Sequence, residues 1–258
     1  MHVLIITDLE GVSCVDDYNM MPYDSVGYKN ACEYLMADTN AAIDGAFLGG
    51  ATKVTVVDGH GRATNFIMSL LDKRADYITA RQFIDNSPVG YDALFCVGAH
   101  AMAGTEKAFL DHTQSSVEWY EYCIGGVPYG EMGQQAFCLG AFGTPFVMMS
   151  GDKAACDEAK ALVPNVATAC VKTALKRNKA ECIPPDEALE LIRAAAKDGV
   201  ERAKEIAPCV LNLPTEISVT YTRNDHCDYY MHDGLERNGR TIRKTLNKLE
   251  RYSDLTRF

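Results

Sequence analysis

Three short apolar runs in this chain each end in residues able to hold a metal ion. Val3–Ile6 leads through Thr7 into Asp8-Leu9-Glu10-Gly11, Val54–Val57 into Asp58-Gly59-His60-Gly61, and Leu94–Val97 into Gly98-Ala99-His100. Asp8 and Glu10 are two residues apart, so in extended chain their side chains share one side. The glycines at 11, 59, 61 and 98 let backbone and ligands approach closely. Carboxylates mixed with imidazoles suit Zn2+ and, less selectively, Mn2+ or Fe2+. His112 in Asp111-His112-Thr113 and Glu131 in Gly130-Glu131-Met132-Gly133 are two further candidates downstream. Asp8, Glu10 and Glu131 together bring a charge of −3, which suits two divalent ions and would crowd one. Two ions sharing a carboxylate can activate water near neutral pH.

Taken singly, each residue has an ordinary reading. Asp8 could cap a turn, His60 and Glu131 could be solvated loop residues, and His100 could be a satisfied core histidine. Joint placement after successive strands is what favours a metal site. The tail residues Asp225, His226, Asp228, His232 and Asp233 form a second candidate metal cluster, but they lie among tyrosines and read as structural or surface groups, as does His2.

The elements that must position this set follow from the hydrophobic pattern. The three apolar runs are short and unbroken, as strands buried on both faces are. Between the first two, Ala31, Leu35, Ala42, Ile43 and Phe47 recur at helical spacing over 29–48, before the stop Gly49-Gly50. A shorter helix is predicted over 66–71, then a strand at 77–79. The order β-α-β-α-β predicts a parallel, helix-flanked sheet. A further strand is expected over 145–149, with Ser150-Gly151-Asp152 opening a helix over 153–162. Past Pro184-Pro185 a long helix is expected over about 187–206, then strands at 217–222 and 240–245 and a helix over 246–252. The expected fold is α/β: a metal-binding catalytic domain over 1–183 with a mostly parallel sheet, and a smaller α+β part over 184–258.

Composition bounds the partners. The chain has 258 residues, 47% apolar, with 35 acidic against 25 basic side chains, a formal charge of −10. That is globular composition, and the acidic balance argues against nucleic acid or an anionic membrane as main partner. The N-terminal run is short and lacks a basic flank, so no signal peptide is expected. None of the ten cysteines forms a Cys-x-x-Cys pair, and several sit in apolar runs, which reads as buried thiols in a reducing cytoplasm.

With these residues in hand, the chain resembles the D-aminopeptidase family of zinc metallopeptidases, of the dipeptide-transport-operon type. The resemblance rests on Asp8-Leu9-Glu10-Gly11-Val12-Ser13, on Asp58-Gly59-His60, on the segment from Gly98-Ala99-His100 to Asp111-His112-Thr113, and on Gly130-Glu131-Met132-Gly133. Weaker matches at 145–152, 164–166, Val171-Lys172 and Gly234 to Thr241 extend it in order over nearly the whole chain. It implies two zinc ions per chain, with Asp8 bridging and Glu10, His60, His100 and Glu131 completing the ligands. It also implies that His112 is catalytic, as nucleophile, general base or oxyanion stabiliser. Ring-shaped homodecamers enclosing the active sites, and short peptide substrates, are implied as well. The chain departs from the family pattern at Gln135, where Asn is usual, and at Glu106-Lys107-Ala108, which replaces a Pro-Gly.

The resulting expectation is a di-zinc aminopeptidase acting on short peptides with D-residues at the N-terminus. Two rivals remain in view: another di-metal hydrolase, acting on phosphate esters or non-peptide amides, and a metal-stabilised oligomeric scaffold without turnover.

Overall fold

A computed structural model describes all residues, 1–258. In chain order the strands are β1 (His2–Thr7), β2 (Lys53–Asp58), β3 (Asp76–Ile78), β4 (Ala93–Ala99), β5 (Trp119–Ile124), β6 (Val127–Pro128), β7 (Phe146–Asp152), β8 (Ala167–Lys176), β9 (Lys179–Cys182), β10 (Thr215–Tyr221), β11 (Glu236–Asn238) and β12 (Thr241–Leu246). The helices are α1 (Val26–Leu48), α2 (Ala80–Asp85), α3 (Glu131–Gly140), α4 (Lys153–Leu162), α5 (Pro185–Glu201), α6 (Asn224–Tyr230) and α7 (Ser253–Thr256).

Seven strands form one sheet in the order β3-β2-β1-β4-β7-β8-β9. Its pairings are parallel except at the β8–β9 hairpin. β4 and β7 are buried at every residue, which is why they show no polar alternation. α1 and α5 pack side by side against this sheet. Ser25 caps α1 by accepting the Tyr28 amide at 2.9 Å, and Asp152 caps α4 by accepting the Ala155 amide at 3.1 Å. The α/β class with a mostly parallel, helix-flanked sheet is therefore the observed one.

A second, antiparallel sheet runs β11-β12-β10-β5-β6. In β10, Ile217, Val219 and Tyr221 alternate inward and join the same 55-residue core as the strands of the large sheet. The sheets do not divide the chain at residue 183. β5 and β6 precede that point yet belong to the second sheet, whereas α5 follows it and packs on α1.

Two expected helices are absent. Residues 66–71 form turns, because Asn40 of α1 takes their backbone groups: its amide donates to Leu70 O at 2.8 Å and its carbonyl accepts the Asp72 amide at 3.0 Å. Residues 247–252 are irregular, with Leu249 and Tyr252 buried as separate anchors, and only the short α7 follows. The Asp254 carboxylate accepts the amides of Glu250 and Arg251, holding that segment as a turn. All ten cysteines are free thiols. No helix is long and apolar enough to cross a membrane.

Candidate metal centre

The carboxyl ends of β1, β2 and β4 lie side by side in the sheet, and there the chain gathers its polar residues. The turns after β1 and β4 interlock. Asp8 donates its amide to Val97 O and Gly11 to Gly98 O, both at 2.8 Å. At Gly11 a Cβ would fall 1.9 Å from Ala99 O, and Gly98 has φ +72° with Asp8 O 2.4 Å from the place of its missing Cβ. The glycines singled out for close approach thus serve first to bring two backbone segments together.

Six functional side chains converge. His60 Nδ1 lies 2.9 Å from Asp8 Oδ1 and 3.0 Å from Glu10 Oε2. His100 Nε2 lies 3.2 Å from Asp8 Oδ2 and 3.6 Å from Glu131 Oε1, and His112 Nε2 is 3.8 Å from the same Glu131 oxygen. Glu131 opens α3, where the helix N-terminus favours a carboxylate, and it also accepts the Gln114 amide at 2.7 Å. Asp8, Glu10, His60, His100, Glu131 and His112 therefore surround one place. The tail group of Asp225, His226, Asp228, His232 and Asp233 is not among them: Asp225 and Asp228 pair with Arg223 and Arg237.

These residues fit a divalent cation on three counts. Ligand atoms of Asp8, Glu10 and His100, and again of His100, His112 and Glu131, lie within 4.8 Å of one another. Glu10 Oε2 and His100 Nε2 are buried without a hydrogen-bond partner, a costly state unless something else binds them. The ring of His100 spends Nδ1 on Ala101 O at 2.9 Å, which leaves Nε2 free to face the carboxylates.

The electrostatics agree. Burial opposes protonation of His60, yet the charges of Glu10 and Asp8 and the hydrogen bond to Asp8 Oδ1 hold its imidazole well above the usual range. His100 is raised in the same way, against burial, by Asp8 and Glu131. Burial works against ionisation of Glu10, but His60 outweighs it and holds the carboxyl well below its usual range; Glu131 is lowered similarly by His100. Three carboxylates gathered at one point favour positive charge there, which a divalent cation would supply.

The loop carrying Asp8 and Glu10 is clamped from behind. Lys172 of β8, 1% exposed, donates from Nζ to Glu10 O at 2.6 Å, Val12 O at 2.7 Å and Val15 O at 2.5 Å. Fully buried Asp38 of α1 accepts the Ser13 amide at 2.8 Å and its hydroxyl at 2.5 Å. Burial pushes the Lys172 ammonium down to about 8 and the Asp38 carboxyl up to about 6. In the sequence Lys172 figured only in the family resemblance and Asp38 sat unremarked in a helix, since neither is near the ligands in the chain.

A cavity of about 610 Å3 opens over the centre, walled by Tyr18, Tyr23, Phe83, Ile84, Gln114 and Tyr252 among others. Gln135 reaches this wall and accepts the Cys96 thiol at 3.0 Å, whereas Glu106, Lys107 and Ala108 do not line the cavity.

Fold and site together define an α/β protein with a carboxylate–imidazole cluster suited to a cation at the carboxyl edge of its parallel sheet. A family model described as D-aminopeptidase matches residues 1–257, so the chain belongs to the D-aminopeptidase family of peptidases. It is 29% identical over 213 residues to a D-aminopeptidase of Bacillus subtilis, a match spanning 81% of this chain and 77% of that protein. Its fold superposes with a TM-score of 0.93 on a solved structure from Bacillus subtilis described as the Zn-dependent D-aminopeptidase DppA, a self-compartmentalizing protease. That match covers 99% of this chain and 96% of the other at 24% identity.

Proposed function

We propose that this chain is a zinc-dependent aminopeptidase that removes N-terminal residues, D-configured ones among them, from short peptides. Two zinc ions per chain are held by Asp8, Glu10, His60, His100 and Glu131, and His112 is the catalytic residue. The observation that carries this reading is the way Asp8 faces two imidazoles at once. Its Oδ1 is 2.9 Å from His60 and its Oδ2 is 3.2 Å from His100. Asp8 thus offers one oxygen to each side of the cluster, so with Glu10, His60, His100 and Glu131 it would be able to hold two divalent ions. Glu10 stands on the His60 side and Glu131 on the His100 side.

Bound zinc supplies Lewis-acid activation of the scissile carbonyl and of the attacking water. His112 donates from Nδ1 to Leu110 O at 2.9 Å, so its Nε2 carries the lone pair and faces the centre. From there it accepts a proton as water attacks and returns it to the departing amine. The cavity above orients the peptide and sheds bulk water from the reacting amide. Membership of the D-aminopeptidase family supports the substrate class. The self-compartmentalizing description of the DppA structure supports assembly, which we take to be a ring-shaped homodecamer in the cytoplasm.

The test is hydrolysis of paired D-Ala and L-Ala peptides by zinc-loaded protein, with phosphate esters as controls. Peptide cleavage that stops with chelator and returns with zinc is expected. Cleavage of phosphate esters alone would replace the peptidase reading with that of another di-metal hydrolase, and metal binding with no turnover would leave a scaffold.

A further inference from the structure

A second cavity, of about 700 Å3, adjoins the one over the metal centre. Three residues line both: His112, Ser116 and Arg177. Arg177 is the one lysine or arginine in either lining, and the other charged groups of the second cavity are Asp111 and Glu121. Away from the metal centre, a carboxylate entering this passage has a single cationic side chain to meet, Arg177.

Arg177 sits in the turn between β8 and β9 and is built in place. Its carbonyl accepts the Leu110 amide at 2.8 Å, its Nε donates to Asp111 Oδ1 at 2.9 Å, and its Nη2 donates to Asp111 O at 3.0 Å. Asp111 is itself anchored, its Oδ2 accepting the Gly104 amide at 2.8 Å. Nη1 makes a longer bond, 3.3 Å, to Asn178 Oδ1. A guanidinium has five N–H donors, so one remains on each terminal nitrogen, and the side chain is 48% exposed. Two unspent donors on a pre-oriented cationic group suit a carboxylate.

We propose that Arg177 binds the C-terminal carboxylate of the substrate. The proposal rests on the peptidase reading and narrows its substrate to short peptides with a free C-terminus. With the N-terminal amide at the metal centre, the leaving portion passes His112 and Ser116 into the second cavity, beside the guanidinium. Recognition of both ends favours peptides whose length fits the distance between them.

The experiment compares D-alanyl-D-alanine with its C-terminal amide, using the zinc-loaded protein and its Arg177→Gln and Arg177→Lys variants. For the parent, kcat/KM is expected to favour the free acid by about tenfold or more, expressed in KM. Arg177→Gln brings the acid-to-amide ratio to about one, and Arg177→Lys, which keeps charge without the fork, gives an intermediate ratio. A parent ratio near one overturns the assignment while leaving the peptidase reading standing, and that result needs no variant to fold. A loss of kcat on both peptides with the ratio preserved also overturns it, making Arg177 a brace for the His112 loop. Cleavage of neither peptide by the parent overturns the assignment, and the paired D-Ala and L-Ala peptides then decide the peptidase reading separately.

Discussion

The imidazoles of His100 and His112 stack face to face, with centroids 3.9 Å apart and planes within 11° of parallel. Both rings spend Nδ1 on a backbone carbonyl, that of Ala101 and of Leu110 respectively, and both turn Nε2 toward the Glu131 carboxylate. They differ in exposure: the His100 side chain is 2% accessible and that of His112 14%. The buried ring suits a ligand, and the ring nearer the cavity suits proton transfer. Stacking fixes the more exposed imidazole, which we propose to be catalytic, against the buried one.

This pairing separates the two histidines experimentally. His112→Ala is expected to lower kcat by about 10²–10⁴-fold while zinc content stays at the parent level. His100→Ala is expected to lose zinc as well as turnover. Metal analysis beside steady-state kinetics checks both, and loss of zinc in His112→Ala would make that residue a ligand.

The proposed pair of ions is tested through Asp8, whose two oxygens face His60 and His100. Equilibrium dialysis of the parent should give two zinc ions per chain. Glu10→Gln and Glu131→Gln should each weaken one ion, and Asp8→Asn should weaken both. A single tight ion in the parent, unaffected by one of the Glu substitutions, contradicts the bridging role.

The buried lysine behind the ligand loop makes its own prediction. Lys172→Met fills the same volume but releases the carbonyls of Glu10, Val12 and Val15. Because partners that hold ligands in place commonly contribute 10–100-fold to metal affinity, zinc binding should weaken by about that factor. Chelator competition reads the affinity, and circular dichroism checks that the chain remains folded.

Stability should depend on pH through Asp38. Its carboxyl titrates near 6 in the folded chain, above the usual 3.8, because burial disfavours the charge. The folded state therefore holds this proton more tightly than the unfolded one. The contribution is full below the unfolded value and is lost as pH rises through about 6. In the zinc-free protein, Asp38→Asn should gain stability relative to the parent across that window, by up to roughly 3 kcal/mol. Urea denaturation at pH 4 and pH 7 measures the difference, and an equal gap at both values rules the effect out.

Much of the large sheet was legible because its inner strands are continuous apolar runs, whose meaning is local. The ends of β1, β2 and β4 could be located from Val3–Ile6, Val54–Val57 and Leu94–Val97, and with them Asp8, His60 and His100. The helices predicted at 66–71 and 246–252 were not formed, since Asn40 and Asp254 capture the backbone groups a helix needs. β5 was missed because Trp119–Ile124 alternates only weakly and gains its partner, β10, from the far end of the chain.

The sequence alone determined which residue types stand at the strand ends and hence that a carboxylate–imidazole site was available. Tertiary structure decided the rest. It turned the two oxygens of Asp8 toward different histidines, stacked His112 on His100, and brought Lys172, Asp38 and Arg177 to the loops carrying Asp8, Glu10 and His112 across large separations in the chain. Strand identity is written in neighbouring side chains, whereas these contacts depend on interlocking turns and on buried charges that find their partners only when the sheet has closed.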